Sequence, residues 1–227
     1  MRIAIVYHCL LYWKEPPVIL DSAFPIIQEQ MDALKGSGLL DAADQFFVGI
    51  NGGVESEELA TVLFPSKAKR IMHGLQCHSE NRTIDFMHQW CRSNPGFAVL
   101  YLHAKGSTHQ TDSEYGRMAA NWRRAMMDDT VTKWRQNVKD LESGIESIGS
   151  HFMKGMADGT QNLWAGNFFW VTSDYVATLP SIFERDRIKV SGIDALISRY
   201  EAEVWIGNGP RLPIVKEHKP HGGNGVP

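Results

Sequence analysis

With 227 residues, 43% of them hydrophobic and 22% charged, the chain has the composition of one folded domain, or of a domain with a small appendage, and not of a disordered or collagen-like polymer. Its 23 Lys and Arg against 26 Asp and Glu leave a formal charge of −3, which excludes a global attraction to nucleic acid or an anionic membrane and allows only a local basic pocket. No apolar run reaches the roughly 18 residues that a bilayer span requires.

The first residues, MRIAIVYHCLLYWKEPP, are short in apolar length, rich in β-branched residues and lack a small-residue cleavage site. They predict a first strand, not a signal peptide. Ile3 to Val6 is an unbroken apolar run, the mark of a strand buried on both faces. From Ser22 to Leu34, Phe24, Ile27, Met31 and Leu34 recur at helical spacing, and Gly36 and Gly38 end the helix. Gln45 to Ile50 is a second strand, closed by the turn Asn51-Gly52-Gly53. A short helix over 55–64, a short strand over 69–73 and a helix over 81–93 follow. Phe97 to Leu102 is the clearest strand after the first. Tyr115 to Leu141 carries one apolar stripe and predicts the longest helix, stopped by Gly144, with Asp128 and Asp129 on its solvated face and Asp112 and Glu114 as charges at its start. Asn167 to Val171 reads as a strand, 173–179 and 193–200 as helices, and the stretch from Lys216 as an exposed arm. Strands alternating with helices predict an α/β fold with a largely parallel sheet covered on both faces. Cys9, Cys77 and Cys91 are odd in number and lack C-x-x-C spacing, which points to a reducing, cytoplasmic setting and to neither a disulfide framework nor a structural zinc site.

Ligands of open α/β sheets bind at the carboxyl ends of the strands. That rule selects Tyr7-His8-Cys9, Gly49 to Gly53, and His103-Ala104-Lys105-Gly106-Ser107-Thr108-His109. There is no G-x-G-x-x-G after the first strand and no P-loop anywhere, so dinucleotide binding and P-loop hydrolysis fall away. Lys105 can offset diphosphate charge, with donors from Gly106 and Ser107; the alternative is a polar turn with Lys105 in solvent. In Leu163 to Trp170, strand alternation puts Trp164, Gly166, Phe168 and Trp170 on one face and Asn167 opposite them. An indole platform beside an amide suits a sugar ring, and a core strand would read the same way. Glu201 and Glu203, two apart near a helix end, offer a general base, or two surface charges. Nine histidines show no H-E-x-x-H or H-x-H spacing, and no D-x-D clamp is present, so no metal ligands are assigned.

Four segments taken in order carry a family resemblance: Tyr101 to Gly106 (Y-x-H-x-K-G), Trp122 to Met126 (WRRAM), Ala165 to Trp170 (AGNFFW) and Glu203 to Gly207 (EVWIG). Together they resemble bacterial and viral glycosyltransferase-like proteins with a GT-A, nucleotide-diphospho-sugar transferase, core. The resemblance covers Ile3 to about Val215. It implies a single GT-A-like three-layer α/β/α domain over 1–215, a tail over 216–227, and transfer of a sugar from a nucleoside-diphosphate sugar to a hydroxyl of a glycan or lipid-linked acceptor. His103-Ala104-Lys105 stands where most such enzymes carry D-x-D. A divalent cation, Mn or Mg, is thus left without a motif, and Lys105, with Arg123 or Arg124, is the expected counter-charge for the leaving diphosphate. Tyr7, His8, Gly49 and Asn51 would border the nucleotide, with His103 and Gly106 beside it. Trp164, Asn167 and Trp170 would meet sugar or acceptor, and Glu203 or Glu201 would take the proton. No nucleic-acid partner is expected, and any membrane contact would be peripheral. Two rivals stand beside this reading. One is a non-catalytic glycan-binding module on a degenerate GT-A fold, and the other a metal-dependent phosphohydrolase built from His103 and the tail histidines.

Overall fold

The computed structural model describes residues 1–13, 18–19, 21–52, 54–74, 80–110, 112–155, 161–184, 197–207 and 209–218. Its first strand, β1 (Arg2–Leu10), is buried from Ile3 onward, as an apolar run without alternation requires. β2 (Tyr12–Trp13) and β3 (Val18–Ile19) make a small antiparallel ribbon. α1 (Ala23–Gly36) accepts Pro25 in its first turn, where the missing N–H has no intrahelical partner to lose, and lays Ile26, Ile27, Met31 and Leu34 on the sheet. The short α2 (Leu39–Ala42) and β4 (Gln45–Asn51) follow, then α3 (Val54–Leu63), β5 (Lys69–Met72), α4 (Asn81–Ser93) and β6 (Phe97–His103).

The predicted long helix is three pieces. α5 (Glu114–Met127), capped by Ser113, runs into a π-turn over Asp128–Thr132 and then α6 (Trp134–Glu142). The π-turn corrects the reading of the aspartates. Asp128 is half-buried, whereas Asp129 is wholly buried, with Lys133 Nζ at 2.6 Å and His218 Nδ1 at 3.9 Å. β7 (Ser147–Gly149), the antiparallel pair β8 (Phe152–Gly155) and β9 (Gln161–Trp164), β10 (Phe169–Thr172), α7 (Ser173–Val176), α8 (Ile197–Trp205) and β11 (Val215–Glu217) complete the chain. The last predicted helix therefore extends past Tyr200 to Trp205. Lys216 and Glu217 are sheet residues, and His218 N donates to Gly149 O, so the order runs beyond the expected boundary at 215. Residues 219–227, with His221, and residues 75–79, with Cys77 and His78, lie outside the described residues.

The central sheet has the order β11-β7-β10-β6-β1-β4-β5, in which β10 is antiparallel to both neighbours and every other pairing is parallel. Alternation along β1 and β6 divides the interior into two. Ile5, Tyr7, Leu100 and Leu102 pack under α1, α2, α5 and α6; Val6, Val99 and Tyr101 pack under α4, α7 and α8. The protein is thus a three-layer α/β/α fold with a mostly parallel sheet. Each fully buried Leu, Ile or Phe contributes about 1.5–3 kcal/mol, so burial on both faces is the dominant stabilising term. Among the described residues no helix is long and apolar enough to cross a membrane.

Candidate active site

Strand neighbours leave a sheet on opposite faces, and this decides which residues meet at its carboxyl rim. On the face covered by α4, β1 and β6 deliver His8 and His103, while β5 leads into His73. Thr83, in the first turn of α4, sets its hydroxyl 2.8 Å from His8 Nδ1 and 2.9 Å from His73 Nε2, joining the three in a chain. Burial drives the His8 imidazole down to about 3, against the attraction of Glu80. Burial and then the charge of Arg82 bring His73 to about 4. Both rings are neutral at physiological pH. A Cβ on Gly49 would stand 2.0 Å from Thr83 Oγ1 and 2.8 Å from His73 Nε2, so the glycine makes room for this chain.

Glu80, immediately before α4, is the centre of the group. Its Oε2 accepts the Tyr101 hydroxyl at 2.7 Å and Asn167 Nδ2 at 2.8 Å, and its Oε1 lies 3.5 Å from His103 Nδ1. Burial raises its pKa, but the imidazoles of His103 and His8 and the bonds from Tyr101 and Asn167 outweigh burial and hold the carboxyl below its ordinary range. The start of α4 adds to this, because unpaired helical N–H groups favour a negative charge there. His103 Nε2–H donates to Gly166 O at 3.0 Å, which turns Nδ1 toward Glu80.

The turn Ala165–Asn167 carries Gly166 at φ 81 and Asn167 at φ 58, a left-handed conformation that Asn tolerates better than most side chains. It breaks the alternation assumed from the sequence. Trp164 enters the interior beneath α4, α7 and α8 and bonds Ser147 Oγ at 2.8 Å. Trp170 enters the opposite interior and bonds Thr130 O at 2.7 Å. Both are wholly buried on different faces of the sheet, so the expected indole platform is replaced by two core anchors.

Other expected residues are also redistributed. Tyr7 points away from His8 into the interior under α1, where its hydroxyl donates to Gln30 Oε1 and its ring meets Phe64; it is core and not a border of any rim ligand. Gln30 Nε2 in turn donates to His103 O at 2.9 Å. Asn51 is 1% exposed, and its carbonyl accepts Leu11 N. Gly106, at φ 93, turns the chain after β6. Arg123 is buried and braces the turn, bonding Lys105 O at 2.9 Å and Glu29 Oε2 at 2.8 Å, and the exposed Arg124 faces the same glutamate. Lys105 carries its ammonium 4.1 Å above the Trp122 ring. Gly166 stands between the two ends of this rim: its carbonyl takes His103, and a Cβ there would stand 3.1 Å from Trp122 Cζ2.

Glu201 accepts Asn81 Nδ2 at 3.0 Å, next to Glu80 in the chain. Glu203 is turned about 200° around α8 from Glu201, so the two carboxylates do not share one site. Among the described residues His103 and His218 serve different partners, the former Gly166 O and the latter Asn137 Oδ1 at 2.9 Å, and His221 lies outside them. Among the described residues no group of three His, Cys, Asp or Glu is placed to hold a metal ion. A cavity of about 360 Å³ lies on the outside of α6, between Trp134 and Glu142. It is near Met1, whose amine bonds Glu142 at the start of β1, and so at the end of the sheet opposite this rim. Glu80, Thr83 and His73 are the site residues that sequence spacing did not single out; a glutamate three residues before Thr83 at a helix start was their one local signal.

The class defined here is a three-layer α/β/α protein with a carboxylate–imidazole group at the carboxyl rim of a mostly parallel sheet. The chain belongs to the family described as Domain of unknown function (DUF8361), whose model matches residues 11–213. No curated protein sequence matches it. Solved structures that resemble it include Rv0371c from Mycobacterium tuberculosis H37Rv, with a TM-score of 0.42 and 10% identity over 96% of this chain and 87% of that one. CMP:2-keto-3-deoxy-manno-octonic acid synthetase complexed with CTP gives 0.41 and 10%, over 79% of each chain. For 4-diphosphocytidyl-2C-methyl-D-erythritol synthase the values are 0.38 and 8%, over 78% of this chain and 77% of that one.

Proposed function

We propose that this protein is a single-domain transferase that moves a sugar from a nucleoside-diphosphate sugar to a hydroxyl of a glycan or lipid-linked acceptor. The observation that carries the reading is the Glu80–His103 pair, held by Tyr101 and Asn167 at the end of β6, beside β1, where ligands of open α/β sheets bind. Glu80 Oε2 already accepts two donors, so Oε1 is the oxygen that takes the acceptor hydroxyl's proton as that hydroxyl attacks the sugar carbon. The bond from that carbon to the diphosphate breaks, and Lys105 offsets the charge that develops on the leaving group. Glu201 reaches the same corner through Asn81 and acts on the site indirectly.

A thermal-shift screen across UDP, GDP and CMP sugars identifies the donor, and turnover is then measured for Glu80→Gln and Lys105→Ala. Loss of transfer in both, with each variant still folded at the assay temperature, is the expected result. Unchanged turnover in Lys105→Ala removes that residue from the mechanism, and unchanged turnover in Glu80→Gln removes the proton acceptor. The absent D-x-D supports a second reading, a glycan-binding module without catalysis. Calorimetry separates the two, since a pure binder ignores every nucleotide and responds to an oligosaccharide.

A further inference from the structure

Two asparagines flank Glu80, and each presents a buried oxygen with no donor. Asn167 is wholly buried and Asn81 is 6% exposed. The orientation of each amide is fixed by the carboxylate it faces: Asn167 gives Nδ2–H to Glu80 at 2.8 Å, and Asn81 gives Nδ2–H to Glu201 at 3.0 Å. Flipping either would set oxygen against oxygen. Both Oδ1 atoms consequently lack a hydrogen-bond partner among the described residues. A buried acceptor left unsatisfied costs about 1–3 kcal/mol, and folded proteins keep few of them. Here Asn167 bonds the ionised Glu80 carboxylate and Asn81 follows Glu80 in the chain and bonds Glu201, so the two acceptors come from the left-handed turn before β10 and from α4, which are separate elements of the fold.

The geometry points to a subsite for a hydroxyl-bearing ligand, a sugar, whose O–H groups donate to Asn81 Oδ1 and Asn167 Oδ1. The corner formed by Glu80, Asn81, Glu201 and Asn167 offers acceptor oxygens, which repel a phosphate and match a polyol. Two cations border the rim: Arg82, exposed on α4, whose charge acts on His73, and Lys105, which lies on the other side of Gly166 over Trp122. A ligand that touches both corners is thereby oriented, its hydroxyls toward α4 and its anionic end toward α5. This deepens the transferase reading and rests on it only for placing an anionic end.

The test follows the Asn81 and Asn167 side-chain amide signals of the ¹⁵N-labelled protein during titration with methyl glycosides of glucose, galactose, rhamnose and N-acetylglucosamine. The same titration is run with UDP, GDP and CMP sugars, inorganic phosphate and methylammonium chloride. Asn167→Gly keeps a backbone that accepts φ 58, and Asn81→Ala lies in the first turn of a helix, so the variants perturb independent elements. At least one sugar is expected to shift both amides, and each variant to bind it about tenfold more weakly. No sugar response, or a response to methylammonium in its place, overturns the assignment. Nucleotide-sugar binding that both variants leave unchanged overturns it too, while the transferase reading stands. Glycoside binding weakened in both variants, with no response to any nucleotide sugar, upholds the subsite and removes the transferase reading.

Discussion

Acidification will weaken the fold through His8. Its imidazole titrates near 6.5 when unfolded and at about 3 when folded. Between those values the unfolded chain binds a proton that the folded chain excludes, so this contribution is complete above the unfolded pKa and is lost as the pH falls toward the folded one. At about pH 5 nearly every unfolded copy is protonated and nearly every folded copy is neutral, a loss of about 2 kcal/mol relative to pH 7. That is a large part of the roughly 5–15 kcal/mol that holds a domain together. His73 is shifted in the same direction, but its ring is partly exposed and solvent screening reduces its share. Glu80, with a lowered pKa, contributes stability above the carboxylate range and loses it only in stronger acid. Urea unfolding of wild type and His8→Asn across this interval isolates the effect, because the Asn side chain still meets Thr83 and does not titrate. The wild-type stability should fall more steeply than the variant's by about 2 kcal/mol. Parallel profiles would refute the reasoning, since they would mean that burial does not hold His8 neutral.

Thr83→Val removes the hydroxyl that joins His8 and His73 while keeping the branched shape, and should cost about 1–3 kcal/mol by urea unfolding; a loss within error would mean that the chain does not bind the rim together. Gly49→Ala drives a methyl to 2.0 Å from Thr83 Oγ1 and should cost about 1–3 kcal/mol or more, with the cost reduced when combined with Thr83→Ala. Additive effects in that double-mutant cycle would place the clash elsewhere. Glu80→Leu strands the Tyr101 hydroxyl and Asn167 Nδ2 and should cost about 2–5 kcal/mol, whereas Glu80→Gln retains one accepting oxygen and should cost less than half as much. Equal stability of the two variants, read from chemical denaturation, would show that these donors find other partners.

Elements that carry their own pattern were legible. β1, β4 and β6 are continuous apolar runs because helices cover both faces, and α4 ends within a residue of its expected bounds. β7, β9 and β11 were not seen, since three or four residues hold too little pattern and their partners define them. The π-turn was hidden for another reason: an apolar stripe continues across it, and only the inward turn of Asp129 betrays it. His103 came from strand-end reasoning and Asn167 from the aromatic segment around it, and the two are brought to one carboxylate. Glu80 was missed because its partners lie 21 and 87 residues away, and locally it is one more acidic residue at a helix start. The tryptophans were misassigned by counting alternation through a left-handed turn.

The residues that sequence spacing offered for chemistry divide at β6 into those gathered at the carboxyl rim and those that hold the others still. Ser22 Oγ donates to Ser107 O at 2.5 Å, Gln30 Nε2 to His103 O at 2.9 Å, and Glu29 fixes Arg123, which grips Lys105 O. α1 and the serine before it therefore hold the carbonyls of His103, at the end of β6, and of Ser107, in the turn beyond it, and reach that of Lys105 through Arg123, while Tyr7 secures Gln30 from inside the core. Ordering a turn of this length costs about 1–2 kcal/mol per residue in backbone freedom, and these bonds provide the compensation within the folded state. With the backbone fixed from one side, alternation sends His103 toward α4 and the following turn carries Lys105 toward α5. The separation of carboxylate corner from ammonium corner thus follows from the pleat of one strand and the anchoring of the loop behind it.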